Sequence, residues 1–229
     1  MIFFKKKTEE LYLVTNFKVM FSTLMEQESL ERVPLSVGLI LKLFLNCFHL
    51  NKTPFYLLVR DPYARLESFF KNKFRSTISK IQNTEKWQYC HEIFFSHIRL
   101  DTTMSPAVIA EKLQGLTFPT FISLLPATYR KDGHLHPQHW MTSLQVGKWN
   151  LGIGMPIKFK AIFKMESEKD RQKMAALFQL NLNIKENTTE SVDVSINWTQ
   201  EEYHLVNKLY NKDFSYFFYE KKIASFEKW

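Results

Sequence analysis

Three clusters of side chains in this chain have the types and spacing to do chemistry. The first lies in Arg60-Asp-Pro-Tyr-Ala-Arg-Leu-Glu-Ser68. A guanidinium offers a planar fork of N–H donors and a serine hydroxyl adds a neutral donor, a pairing that suits a phosphate. The second is Lys18 with Ser22 and Thr23. One mobile cation, two hydroxyls and the main-chain N–H groups of a helix start form the recipe for an anion cradle. The third is the loop from Asp132 to Trp140, which gathers His134, His136, Gln138, His139 and Trp140. Those side chains suit proton transfer, hydrogen bonding and stacking against a sugar ring.

Each cluster needs an element to hold it. Phe55 to Val59 is a continuous apolar run of the kind buried on both faces of a parallel sheet, so Arg60 falls at a strand's carboxyl end, where open α/β sheets bind ligands. Asp61 and Pro62 then form a helix N-cap and first residue, and Arg65 and Ser68 share one side of that helix. An ordinary capped helix with a surface Arg-Glu pair is the competing reading of the same stretch. Leu11 to Thr15 reads as the first strand, followed by a loop that feeds a helix through Ser22 and Thr23. Glu26 to Arg32 and Val37 to Phe48 read as helices broken at Pro34. The helical pattern after Phe74 continues through Gln88 to Ile98. Ser105-Pro106 opens a helix that Gly115 stops, and Phe118 to Leu125 forms another. Ile157 to Glu166 alternates as a strand, Ser167 to Leu180 is helical, and Thr199 with Glu202 has capping-box spacing at the start of the last helix. The expected fold is α/β: three layers, P-loop-like, with a central, mainly parallel sheet flanked by helices.

Composition narrows the field. The chain has 229 residues, 45% hydrophobic and 15% aromatic, enough for one domain spanning residues 1–229 with a sizeable core. Two cysteines, Cys47 and Cys90, make neither a disulfide framework nor a metal cluster, and a reducing compartment follows. A formal charge of +8 suits an anionic partner: a nucleotide, a sulfated glycan, nucleic acid or a membrane surface. The longest apolar stretch, Val37 to Leu50, is interrupted by Lys42 and Asn46 and is too short to span a bilayer, so no stable membrane insertion is expected. The loop at Lys18 lacks the glycines of a Walker motif, which counts against a P-loop-type kinase. A basic nucleic-acid-binding module would spread its lysines and aromatics along one face.

Arg60-Asp-Pro-x-x-Arg-x-x-Ser68, preceded by its apolar strand, resembles the 3′-phosphate motif of sulfotransferases, most closely the Golgi carbohydrate sulfotransferases (family 2) and their bacterial relatives. Lys18-Val-x-x-Ser22-Thr23 is similar to the 5′-phosphosulfate loop of the same family, with Met20 and Phe21 where small residues are usual. His134, Pro137 and Gln138 match a His-x-x-Pro-Gln pattern, Lys164 and Glu166 a Lys-x-Glu pattern, and Tyr210, Asp213, Phe214, Phe217 and Tyr219 the closing segment. The resemblance implies sulfuryl transfer from 3′-phosphoadenosine 5′-phosphosulfate (PAPS) to a carbohydrate or glycoconjugate hydroxyl, with no metal required and no nucleic-acid partner. It assigns Lys18, Ser22 and Thr23 to the 5′-phosphosulfate and Arg60 and Ser68 to the 3′-phosphate, while the hydrogen-bonding and stacking chemistry of the loop puts His136, Gln138 and Trp140 on the acceptor, with His136 where the family often carries Arg. The base is open between His134 and His49, with His134 preferred; Glu26, Glu28 and Glu31 share His49's interval. The chain as given is expected in the cytoplasm, or in the Golgi lumen if it is part of a longer protein.

Overall fold

A computed structural model describes residues 1–78, 87–144, 154–182 and 195–223. Its elements in chain order are β1 (Ile2–Lys6), β2 (Tyr12–Thr15), α1 (Phe21–Met25), β3 (Leu30–Val33), α2 (Val37–Cys47), β4 (Phe55–Val59), α3 (Pro62–Lys71) and a π-helical turn (Asn72–Ser76). There follow α4 (Tyr89–Phe95), α5 (Pro106–Gln114), α6 (Phe118–Thr128), a 3-10 turn (Gln138–Thr142), β5 (Ser143–Leu144), β6 (Met155–Pro156), β7 (Phe159–Lys164), α7 (Glu168–Phe178), α8 (Gln200–Leu209) and α9 (Asn211–Phe217). The chain divides into two compact units, Met1–Asp61 with Gln138–Asn187 and Pro62–Pro137 with Thr188–Trp229.

The first unit is a mixed α/β body around a sheet of order β3-β1-β2-β4-β7. β2, β4 and β7 pair in parallel, and β1 runs antiparallel to both β2 and β3, so four of the five strands point the same way. All five residues of β4 are buried, as a strand covered on both faces requires. On one face Phe4, Leu13, Leu58 and Phe163 pack with Leu24 of α1 and Met174 and Phe178 of α7. On the other, Tyr12 stacks on Phe55, and Lys42 of α2 reaches the Tyr12 hydroxyl.

Two strands depart from the sequence-based expectation. β1 precedes the strand expected first, and Leu30–Val33, expected to end a helix, is strand β3. Three lysines in Met1–Lys7 disguise the alternation of β1. Lys6 is nonetheless buried, its ammonium donating to Glu9 (2.5 Å) and to the Leu177 carbonyl (3.0 Å). Once β1 is present its free edge offers a ladder, and residues 30–33 pair along it with a Lys5–Glu31 ion pair at 3.4 Å.

The second unit is helical. Phe69, Phe70, Phe74, Phe94, Phe118 and Phe121 form its centre, in tilted and edge-to-face contacts with ring centroids 5.2 to 5.9 Å apart. Ser105 and Thr117 cap α5 and α6, and Thr199 and Glu202 form the expected capping box of α8. Pro62 opens α3, and the helical pattern expected after Phe74 is present in the π-helical turn and in α4, with residues 79–86 between them outside the described residues.

His91 of α4 is fully buried, edge-on to Phe74 and Trp87, with Nε2–H donating to the Lys73 carbonyl at 3.0 Å. Burial pushes its pKa down to about 4 from an ordinary 6.5. The folded state therefore prefers the neutral ring. This stability is fully present above pH 6.5 and is lost as pH falls from 6.5 towards 4, amounting to roughly 3 kcal/mol for that shift. Urea denaturation of wild type between pH 7 and pH 4 should show this decline, and His91→Gln should flatten it. A Leu58→Ala variant, which empties a fully buried site in the centre of β4, should cost about 2–5 kcal/mol at every pH, read as a lower urea midpoint with an unchanged slope.

Candidate active site

Parallel strands β2, β4 and β7 end along one edge of the first unit's sheet, so the residues after Thr15, Val59 and Lys164 are neighbours there. The loop after β2 turns without glycine. Asn16 Oδ1 accepts from the Phe17 N–H at 2.9 Å, and Lys18 and Met20 take left-handed backbones with φ of 64° and 53°. That conformation costs about 1–2 kcal/mol at each residue. Apolar anchorage offsets it. Val19 is fully buried, the Phe17 and Phe21 rings pack at 5.4 Å, and Phe21 meets Phe4 at 6.2 Å. The bulk at positions 20 and 21 thus ties the loop to the core. α1 starts at Phe21 with no side-chain cap, and the half-buried Ser22 and Thr23 lie in its first turn.

Arg60 is held at three points. Its N–H donates to Gln138 Oε1 at 2.9 Å, and its carbonyl accepts from Gln138 Nε2 at 2.6 Å. Its Nη1 donates to the Lys18 carbonyl at 3.0 Å. Its Nε lies 3.9 Å from Glu166 Oε1, and the same carboxylate oxygen accepts the Asp61 N–H at 3.0 Å. The structure thus brings Lys18, Arg60, Gln138 and Glu166 together. Gln138, expected to touch an acceptor, is fully buried and turns both ends of its amide onto the Arg60 main chain. In the sequence, Glu166 was marked only by the Lys-x-Glu pattern at a strand end, and its part in orienting the guanidinium follows from the fold.

The second unit holds the histidine loop. Asp132 Oδ1 accepts from His134 Nδ1 at 2.6 Å and from the His134 main-chain N–H at 2.8 Å. With Nδ1 donating, Nε2 is the ring's acceptor, the tautomer a general base needs. Burial pushes the Asp132 carboxyl up, but its bonds and charge contact with His134 outweigh this and leave the pKa below its ordinary value. Arg65 Nη2 donates to the carbonyls of Leu135 (3.4 Å) and His136 (2.7 Å), and the Tyr210 hydroxyl donates to Leu135 O at 2.8 Å. Arg65 is therefore a buried support for the loop beneath His134, with its guanidinium 5.6 Å from the Tyr210 ring centre. His136 Nε2 donates to the Arg130 carbonyl at 3.0 Å, and burial lowers its pKa. Ser68 is half-buried on α3, and its hydroxyl makes no hydrogen bond among the described residues.

The remaining expected site residues lie in the first unit. Trp140 is half-buried on the 3-10 turn beside His139. His49 follows α2 in a left-handed conformation with φ of 60° and lines a cleft with Thr53, Phe55 and Phe159. Those are the amino ends of β4 and β7, so the sheet separates His49 from Lys18 and Arg60.

A family model described as the sulfotransferase family matches residues 43–220, about three quarters of the chain. The chain belongs to the sulfotransferase family. The matched segment of this sulfotransferase contains Arg60, Ser68, His134, Gln138 and Glu166, while Lys18, Ser22 and Thr23 precede it. No curated protein and no solved structure matches the chain. Among the described residues no group of His, Cys, Asp and Glu could hold a metal ion, and no helix is long and apolar enough to cross a membrane.

Replacing Gln138 with Met keeps its bulk and removes both amide bonds to Arg60. The loss should be about 1–3 kcal/mol for each main-chain group left unpaired. Urea denaturation checks it, and Gln138→Glu, which retains an acceptor for the Arg60 N–H, should fall between wild type and Met.

Proposed function

We propose that this sulfotransferase moves a sulfuryl group from PAPS to a hydroxyl of a carbohydrate or glycoconjugate. The observation that carries this reading is the joining of Lys18 to Arg60 at the shared end of β2, β4 and β7, in a chain of the sulfotransferase family. A P-loop-like architecture fits that arrangement, and we read the two units as one sulfotransferase domain because each draws on chain from both sides of the other.

The residues fit a bisphosphorylated nucleotide by their chemistry. An uncapped helix start carrying Ser22 and Thr23 offers N–H and O–H donors, and Lys18 and Arg60 supply positive charge beside it. When bound, PAPS supplies the sulfuryl group and departs as the adenosine bisphosphate. The Lys18 ammonium stabilises negative charge at the bridging oxygen as it develops. Arg60 and Ser68 hold the 3′-phosphate, and Glu166 with the Lys18 carbonyl fixes the plane of the Arg60 fork beforehand. His134 Nε2 takes the acceptor's proton, and Asp132 keeps the ring in the accepting tautomer. We assign the base to His134 rather than His49, which lines a cleft at the amino ends of β4 and β7. His136 and Trp140 remain the acceptor contacts. A soluble cytoplasmic enzyme, or a lumenal one within a longer chain, is compatible with these assignments.

Calorimetric titration should show tighter binding of 3′,5′-ADP than of ATP or 5′-AMP. Arg60→Ala should weaken 3′,5′-ADP by about 10- to 150-fold, the worth of a charge-assisted hydrogen bond or two. Unchanged affinity in that variant would remove Arg60 from the site. Preference for ATP with Mg²⁺ would favour a kinase, and salt-sensitive binding of nucleic acid without nucleotide preference would favour a nucleic-acid module. His134→Ala should lower kcat by about 10²- to 10⁴-fold while leaving 3′,5′-ADP affinity unchanged.

A further inference from the structure

The outer side of α2 is apolar along its whole length and nothing among the described residues covers it. Val37, Leu41, Phe44 and Phe48 follow one another at intervals of four, three and four residues, which sets them on one helix face. They are 84%, 55%, 40% and 53% exposed, and Leu50 beyond the helix is 72% exposed. The opposite face, with Leu39, Leu43 and Asn46, is buried. Isolated apolar side chains are ordinary on a protein surface, but a continuous stripe marks a place of attachment.

A second feature adjoins the stripe. At the carboxyl end of α2 an open cleft of about 280 Å³ is lined by Asn46, His49 and Asn51 and by three lysines, Lys52, Lys158 and Lys160. No acidic residue lines it, and none of the three lysines forms an ion pair among the described residues. The main chain of Lys158 is held against the helix. Asn46 Nδ2 donates to the Lys158 carbonyl at 3.3 Å, and Asn46 Oδ1 accepts the Lys158 N–H at 2.8 Å.

We propose that α2 and this lysine cleft dock the protein on the surface of a bilayer rich in anionic lipid. The apolar stripe enters the boundary between headgroups and acyl chains, and Lys52, Lys158 and Lys160 meet the lipid phosphates. With 11 residues the helix is about 16 Å long, too short to span, so it lies in the plane of the interface. Charge complementarity selects this occupant over a second copy of the chain. Pairing two α2 stripes would cover the apolar surface but supply no anion for the lysines, whereas an anionic bilayer satisfies both. The docked orientation follows from the sheet. The cleft lies at the amino ends of β4 and β7 and Arg60 at the carboxyl end of β4, so the donor edge faces away from the bilayer.

Flotation of the full chain with phosphatidylcholine vesicles, with and without phosphatidylserine, tests the proposal. The chain should float only with the phosphatidylserine vesicles and be released by salt. Lys158→Gln with Lys160→Gln should weaken binding roughly 25-fold, about fivefold for each lysine. Leu41→Ser with Phe44→Ser should weaken it by more than about tenfold. Near-ultraviolet circular dichroism checks that each variant is folded, and the lysine pair decides the matter alone if the stripe variant misfolds. No flotation of wild type overturns the proposal, as does equal flotation of folded variants. Light scattering that shows a wild-type dimer made monomeric by Leu41→Ser with Phe44→Ser, without vesicle binding, assigns the face to a second copy and also overturns it.

Discussion

Burial of β4 on both faces constrains everything charged in the first unit. With Phe55 to Val59 wholly withdrawn from water, the strand can carry polar groups only beyond its ends. Its parallel neighbours β2 and β7 end along the same edge, and the charged residues that follow them emerge there. Arg60 could not lie one residue earlier without an unpaired guanidinium entering the core. The same constraint explains Gln138: a main chain that leaves a ladder has lost its strand partners, and an amide with one donor and one acceptor replaces both.

In the second unit, buried side chains hold a half-buried loop. Arg65 and Tyr210 come from helices far apart in sequence, yet both donate to the carbonyls that follow His134. A buried guanidinium is expensive where its donors go unused; Nη2 fixes the backbone of this loop, while Nε and Nη1 have no hydrogen-bond partner among the described residues. Asp132 sets His134 twice, accepting from its ring Nδ1 and from its main-chain N–H, and Arg65 and Tyr210 fix the carbonyls of the two residues that follow. Precision in a loop usually needs such support, because loops lack a ladder of their own.

Much of this was legible in the sequence, for reasons that are local. The apolar run into Arg60-Asp-Pro fixes a strand end and a helix start within a few residues, and the Thr199–Glu202 box is a short-range geometry. β3 was not legible, because its pairing with β1 depends on an edge made by residues some 25 positions away. Nor were the inward turns of Arg65 and Gln138. Their residue types suit a ligand, and only the packing around them decides that they serve the backbone. The separation of His49 from Arg60 likewise depends on which end of a strand each adjoins, something spacing along the chain does not encode.

The amide clamp on Arg60 spans 78 residues of intervening chain, and the carboxylate that meets its guanidinium lies further on still. During synthesis β1 to β4 can pair as soon as they emerge, but the strand end that carries Arg60 has no partner for its last N–H and C=O until Gln138 has been made. β7 and Glu166 arrive later again, after the stretch from Pro62 to Pro137. The earliest part of the protein to acquire its strands is therefore among the last to become competent, and a chain released early would present a sheet with an open edge at β4 and an unsupported arginine.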